Sequence, residues 1–166
     1  MKQWIVRTIL LAVLAAAGYW LWTVFFPNPE KAIRNRLNEI AKLASFASNE
    51  GPLAKISNAQ KLSSYVADNV EIHIEFQRRS DSVYAGRDEV MKACVAARNM
   101  ATGLTVEIPD VEITVHPGKQ SATAGVTLRA QVHGERDYII QEVKIDFVKT
   151  EGDWLITRAE TGRTLR

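Results

Sequence analysis

The 166-residue chain has little thiol, no surplus of charge and no recognisable reaction motif. Cys94 is the one cysteine, so no disulfide can close within the chain. It sits about two turns into an apparent helical run, Val90-Met91-Lys92-Ala93-Cys94-Val95-Ala96, where it reads as a small buried hydrophobe. A position two turns in is away from the helix N-terminus that would help activate a thiol. A basic surplus is also missing. The 21 Lys and Arg include Lys2 and Arg7 of the N-terminal segment, which leaves 19 against 19 Asp and Glu, a balance of zero. Nucleic-acid binders draw affinity from neutralising phosphates, so this balance argues against a nucleic-acid partner. No His/Cys spacing resembles a zinc site, and there is no Gly-rich phosphate loop or nucleophile motif. No cofactor is expected. Internal repeats, low-complexity stretches and a second soluble domain are absent too, and about 140 residues suffice for one domain with a core.

The N-terminus does carry a long uncharged run. Thr8 to Phe26 has no charged residue. At about 1.5 Å per residue it spans roughly 28 Å, close to the thickness of a bilayer core. Trp4 lies at one end and Tyr19, Trp20 and Trp22 toward the other, where amphipathic rings favour the interfaces. Pro27 and Pro29 then stop the helix. These features lead us to expect a transmembrane anchor over residues 1–28 and a soluble domain over 29–166. The alternative is a cleaved signal peptide, with Ile9–Leu14 as its apolar region and Ala15-Ala16-Ala17 as the cleavage site. Cleavage there would leave Tyr19–Phe26 as an exposed apolar terminus. No cysteine closely follows the run, which excludes a bacterial lipoprotein. A short basic N-terminus before a long domain favours a single-pass inner (plasma) membrane protein with its domain periplasmic or otherwise extracytoplasmic, although Lys31, Arg34 and Arg36 nearly balance the positive-inside signal.

Beyond the run, helices are expected first and strands last. Pro29 and Glu30 open a helix. Ile33, Leu37, Ile40, Ala44 and Ala47 give it an apolar stripe, widened by Leu43 and Phe46. Asn49-Glu50-Gly51-Pro52 ends it, and a second helix is expected from about Ser57 to Ala67. Asp68-Asn69 reads as a turn. Val70, Ile72, Ile74 and Phe76 then alternate with Glu71, His73, Glu75 and Gln77, the pattern of a half-buried strand. Arg78-Arg79-Ser80-Asp81 reads as a polar loop, Ser82–Ala85 as a short strand, and Gly86 precedes a third helix running to about Met100. From Leu104 onward the period is two: Leu104–Val115, broken at Pro109-Asp110, then Ala122–Val132, Ile139–Phe147 and Trp154–Arg158. A proline inside a strand points to an edge or a bulge. Short turns between these runs predict a mostly antiparallel meander, and the class is α+β.

Three stretches resemble parts of the nuclear transport factor 2-like fold, which includes the SnoaL-like families within the cystatin-like group. Tyr65–Ile72 resembles its step from second helix to first strand. Val83–Val90 resembles its glycine-led third helix. Gly152-Asp153-Trp154-Leu155-Ile156 resembles its closing strand. The resemblance implies a cone: helices packed on a curved, mostly antiparallel sheet, with a pocket between them. It does not imply an activity, because such folds serve enzymes, carriers and structural modules alike. Enzymes of this kind need titratable groups inside the cone. Here Glu71, Glu75, Glu142, Lys144 and Asp146 alternate with apolar residues, which places them on the opposite face. No catalytic residue of the family transfers to this chain.

His73 is the weak catalytic candidate. It shares a strand face with Glu71 and Glu75, a grouping that could suit acid/base work or a metal, although a solvated strand face gives the same pattern. His116 and His133 flank turns and read as surface residues. Two functions stay open. One is a non-catalytic assembly module whose polar sheet face, carrying Thr127, Arg129, Gln131, Glu142 and Lys144, docks a membrane-protein partner or a second copy. In layout this is similar to anchored subunits of bacterial envelope machines, such as the type IV secretion scaffold subunit and Mce-associated proteins. The other is a tethered SnoaL-like enzyme or carrier of a small apolar ligand. A filled apolar cone favours the first, and polar groups projecting into the cone favour the second.

Overall fold

A computed structural model describes residues 28–76 and 79–162 together with Val13, Ala15 and Gly18, with backbone alone for 75, 76 and 79–81. The apolar run Thr8–Phe26 and its flanking Trp4, Tyr19, Trp20 and Trp22 therefore lie outside the described residues, apart from Val13, Ala15 and Gly18, which are helical and exposed. Among the described residues, no helix is long and apolar enough to cross a membrane.

Helix α1 spans Pro29–Ala44. Asn28 caps it: its side-chain oxygen accepts from the Glu30 amide at 3.0 Å, which satisfies a donor that the helix cannot. Ile33, Leu37 and Ala41, one turn apart, are its buried residues. The helix stops at Ala44, short of Ala47, because Phe46 leaves to pair with Leu104. Helix α2 spans Pro52–Ser63, five residues earlier than the expected start at Ser57. Pro52 occupies the first turn, where a missing N–H costs nothing. Helix α3 spans Arg87–Met100. Gly86, with φ +88°, makes the turn into it, and its added Cβ would stand 3.5 Å from the Asp68 carbonyl oxygen.

Six strands follow the order β2-β1-β6-β5-β4-β3 in one sheet. They are β1 Val66–Phe76, β2 Arg79–Ala85, β3 Leu104–Val115, β4 Ser121–Val132, β5 Ile139–Thr150 and β6 Asp153–Thr161. All neighbours are antiparallel except β1 and β6. Two expectations need correction. Asp68-Asn69 is not a turn but lies inside β1, where the Asp68 carboxylate meets Arg87 Nη1 at 2.9 Å and Arg87 also donates to the Val66 carbonyl. Arg79–Asp81 belongs to β2 rather than to a loop; Gln77 and Arg78 lie outside the described residues. Pro109 does not end its strand. The β3–β4 register shifts between Glu107 and Asp110, so the proline occupies a bulge on an edge strand, where its missing donor is tolerated.

The helices cover one face of the sheet. Between them lies a single apolar cluster that includes Ile33, Leu37, Val70, Val126, Phe147 and Trp154. Cys94 packs against it as a half-buried residue. Burial pushes the Cys94 thiol above its ordinary pKa, and the Arg98 charge only partly opposes this, which disfavours the reactive thiolate.

Candidate functional site

Burial alternates sharply along the central strands. Ala124, Val126, Val143 and Ile145 are buried, while Gly125 and Lys144 between them are exposed. The exposed set forms the outer face, away from the helices. The register aligns it into rows. One row crosses all six strands: Glu112, Gly125, Lys144, Glu160, His73 and Val83. Beside it run Asp110, Thr127 and Glu142.

A hollow of about 280 Å³ opens between these two rows, lined by Asp110, Glu112, Gly125, Thr127, Glu142 and Lys144 among others. Gly125 leaves the gap because it has no side chain where its neighbours have long ones. Asp110, Glu112, Glu142 and Lys144 form no ion pair among the described residues. Farther along, the outer-face charges do pair: Arg129 with Glu107, and Arg158 with Glu160. A smaller hollow of about 60 Å³ lies between Thr105, Glu107, Arg129, Gln131 and Tyr138. There the Arg129 guanidinium lies 5.2 Å from the Tyr138 ring centre, and the Gln131 amide donates to the Glu135 carbonyl at 3.3 Å.

All five residues expected on a polar face, Thr127, Arg129, Gln131, Glu142 and Lys144, thus project from the outer face. Sequence reasoning missed Asp110, Glu112 and Gly125. The signal for Gly125 was a glycine inside an alternating strand, which marks a bulge or a close approach. The signal for Asp110 was Pro109, whose bulge resets the parity of the strand beyond it.

His73 is on this outer face and not inside the cone. It stands opposite Val83 and Glu160, with its side chain 38% exposed and Nε2 3.7 Å from Glu71 Oε2. Nε2 itself is covered and has no hydrogen-bond partner. The Glu75 side chain lies outside the described residues. His116 and His133 are exposed. Among the described residues, no group of three or more His, Cys, Asp or Glu could hold a metal ion.

The helix side offers no comparable polar surface. Among the described residues, Ser63 and Arg98 are the buried polar side chains. The Ser63 hydroxyl donates to the Gln60 carbonyl at 2.8 Å. Arg98 is 3% exposed and donates to both oxygens of Glu50, at 2.7 and 2.6 Å, and to the Leu43 carbonyl. Asn58 donates to the same carboxylate at 2.6 Å. Burial alone would raise the Glu50 pKa, but the hydrogen bonds from Asn58 and Arg98 and the charges of Arg98 and Lys55 bring it below the ordinary range. These groups tie the α1–α2 connection to α3, which is structural work.

Solved structures share this architecture. A scytalone dehydratase-like protein from Novosphingobium aromaticivorans aligns with TM-score 0.61 and 15% identity over 82% of this chain and 84% of its own. A calcium/calmodulin-dependent protein kinase II association-like domain from Xanthomonas campestris aligns with TM-score 0.61 and 12% identity, covering 80% and 87%. The yeast UBP3-associated protein BRE5 aligns with TM-score 0.59 and 10% identity, covering 82% and 97%. No protein-family model matches the sequence, and no curated protein matches it. The likeness shows the fold, nuclear transport factor 2-like within the cystatin-like group. At these identities it shows no activity.

Proposed function

We propose that this chain is a membrane-tethered, non-catalytic interaction module that docks a protein partner on the outer face of its sheet. One observation carries the reading. An apolar cluster lies between helices and sheet, whereas two hollows open on the polar outer face. Acid/base chemistry needs titratable groups held in an apolar pocket, and the cluster is built from aliphatic and aromatic side chains. The association-like domain and the UBP3-associated protein among the fold neighbours are consistent with such a role. The tether rests on the uncharged Thr8–Phe26 run, and the short basic terminus before it favours a domain outside the cytoplasm.

Site-specific photo-crosslinking in the native membrane tests the docking face. A crosslinking residue at Thr127 should give a discrete adduct, while one at Ser57 on the exposed side of α2 should not. Adducts from Ser57 alone would overturn the reading. The tether is checked separately: the full-length chain should stay in the membrane through a carbonate wash, and release at high pH would refute it.

A further inference from the structure

Among the described residues, neither backbone conformation nor a close neighbour requires glycine at position 125. Its φ lies outside the left-handed region, and an added Cβ would meet nothing within 4 Å. It sits within the 12-residue strand β4, where glycine weakens pairing and contributes no side chain. One physical use of such a glycine is to let something from outside approach the backbone closely. The hollow above it supplies the space, and its rim supplies the chemistry: the carboxylates of Asp110, Glu112 and Glu142 against one cation, Lys144.

Resting on the docking reading, we infer that the partner of the outer face is a basic polypeptide segment that lays an Arg or Lys side chain into the hollow over Gly125. Asp110 and Glu142 lie two strands apart, about 10 Å between backbones. That spread suits an extended cationic segment crossing the strands. A second copy seated face to face would bring three carboxylates, without ion pairs among the described residues, against three, with one lysine each, so like charge opposes self-association here. The side chain entering the hollow would gain charge-assisted hydrogen bonds to the rim carboxylates, and its stem would cover the Gly125 backbone.

The test uses the full-length chain in phosphatidylcholine nanodiscs and two labelled peptides of equal length, one alternating Arg with Thr and one alternating Glu with Thr. Binding is read by fluorescence anisotropy at about 0.15 M salt, where diffuse surface attraction is screened. The Arg peptide should bind and the Glu peptide should not. Gly125→Val should weaken binding about tenfold or more while leaving the melting temperature unchanged or higher, because a β-branched residue suits a strand. The double change Glu112→Gln with Glu142→Gln should weaken it similarly, and Glu30→Gln on α1 should not. Absence of Arg-peptide binding would overturn the inference. So would binding indifferent to Gly125→Val, binding equally lost in Glu30→Gln, or displacement of the peptide by excess unlabelled chain. Failure here leaves the Thr127 crosslink free to succeed, whereas failure of both removes the docking face itself.

Discussion

Gly125 and Val126 are neighbours in β4, yet one floors an open hollow and the other is buried in the apolar cluster. The same contrast repeats at Lys144 and Ile145 in β5. The helix-side face is apolar, closed and continuous. The outer face is polar and indented, and among the described residues it carries charges without an ion pair. Stability therefore sits on one face, where burial removes apolar surface from water. Capacity for recognition sits on the other, where substitutions change little in the fold. The two roles can be separated because a strand presents alternate residues to opposite sides.

The contrast can be broken most severely from the closed face. Phe147, fully buried at the centre of the cluster, should lose about 3–5 kcal/mol on replacement by Ala, measured by denaturant unfolding. A loss below about 1 kcal/mol would mean that the closed face is not closed. Next in size is the ion pair at the edge of the helix layer. Glu50→Gln removes the charge facing buried Arg98 and should cost about 1–3 kcal/mol near neutral pH. Its pH dependence has a definite sign. The folded-state pKa of Glu50 is lowered, so its stabilisation is fully present above the unfolded carboxylate pKa of about 4.3 and fades as pH falls through the folded value. The gap between parent and Glu50→Gln should be constant from about pH 7 to 5 and narrow below about pH 4. A gap that widens in acid would contradict the geometry.

Adjacent positions sharpen the comparison further. Ile145→Ala should cost about 2–4 kcal/mol, while Lys144→Ala should stay within about 0.5 kcal/mol. Similar losses at both would erase the two-face distinction. The smallest effect is expected at His73. His73→Ala should change stability by less than about 0.5 kcal/mol and leave the cellular role intact. Loss of function without unfolding would instead extend the docking face to His73, which shares a row with Gly125 and Lys144.

Much of this was legible in the chain itself. The three- and four-residue spacing of Ile33, Leu37 and Ile40 named the buried side of α1, although Ala41, which the stripe did not include, is buried there and Ala47 is exposed. The parity of Val143, Ile145 and Phe147 against Glu142, Lys144 and Asp146 named both faces of β5. The second helix was misplaced because α2 has a weak stripe, with only Ala59 and Ser63 buried. Asp68-Asn69 looked like a turn because both residues favour turns. In the structure Asp68 lies within β1, where its exposed carboxylate meets Arg87 from a separate element.

Sequence alone determined which residues each uninterrupted strand turns to one side, because side-chain parity is a local property of extended backbone. It equally determined the uncharged N-terminal run and the balanced charge of the rest. Tertiary structure alone decided which strands stand side by side and at what register. Glu107 and Asp110 are three residues apart, so parity would put them on opposite faces, yet the bulge at Pro109 against Leu128 puts both on the outer one. The parallel pairing of β1 with β6 brings His73 opposite Glu160, in line with Lys144 and Gly125. Those alignments depend on hydrogen bonds between segments far apart in the chain, and no short window of residues contains both partners.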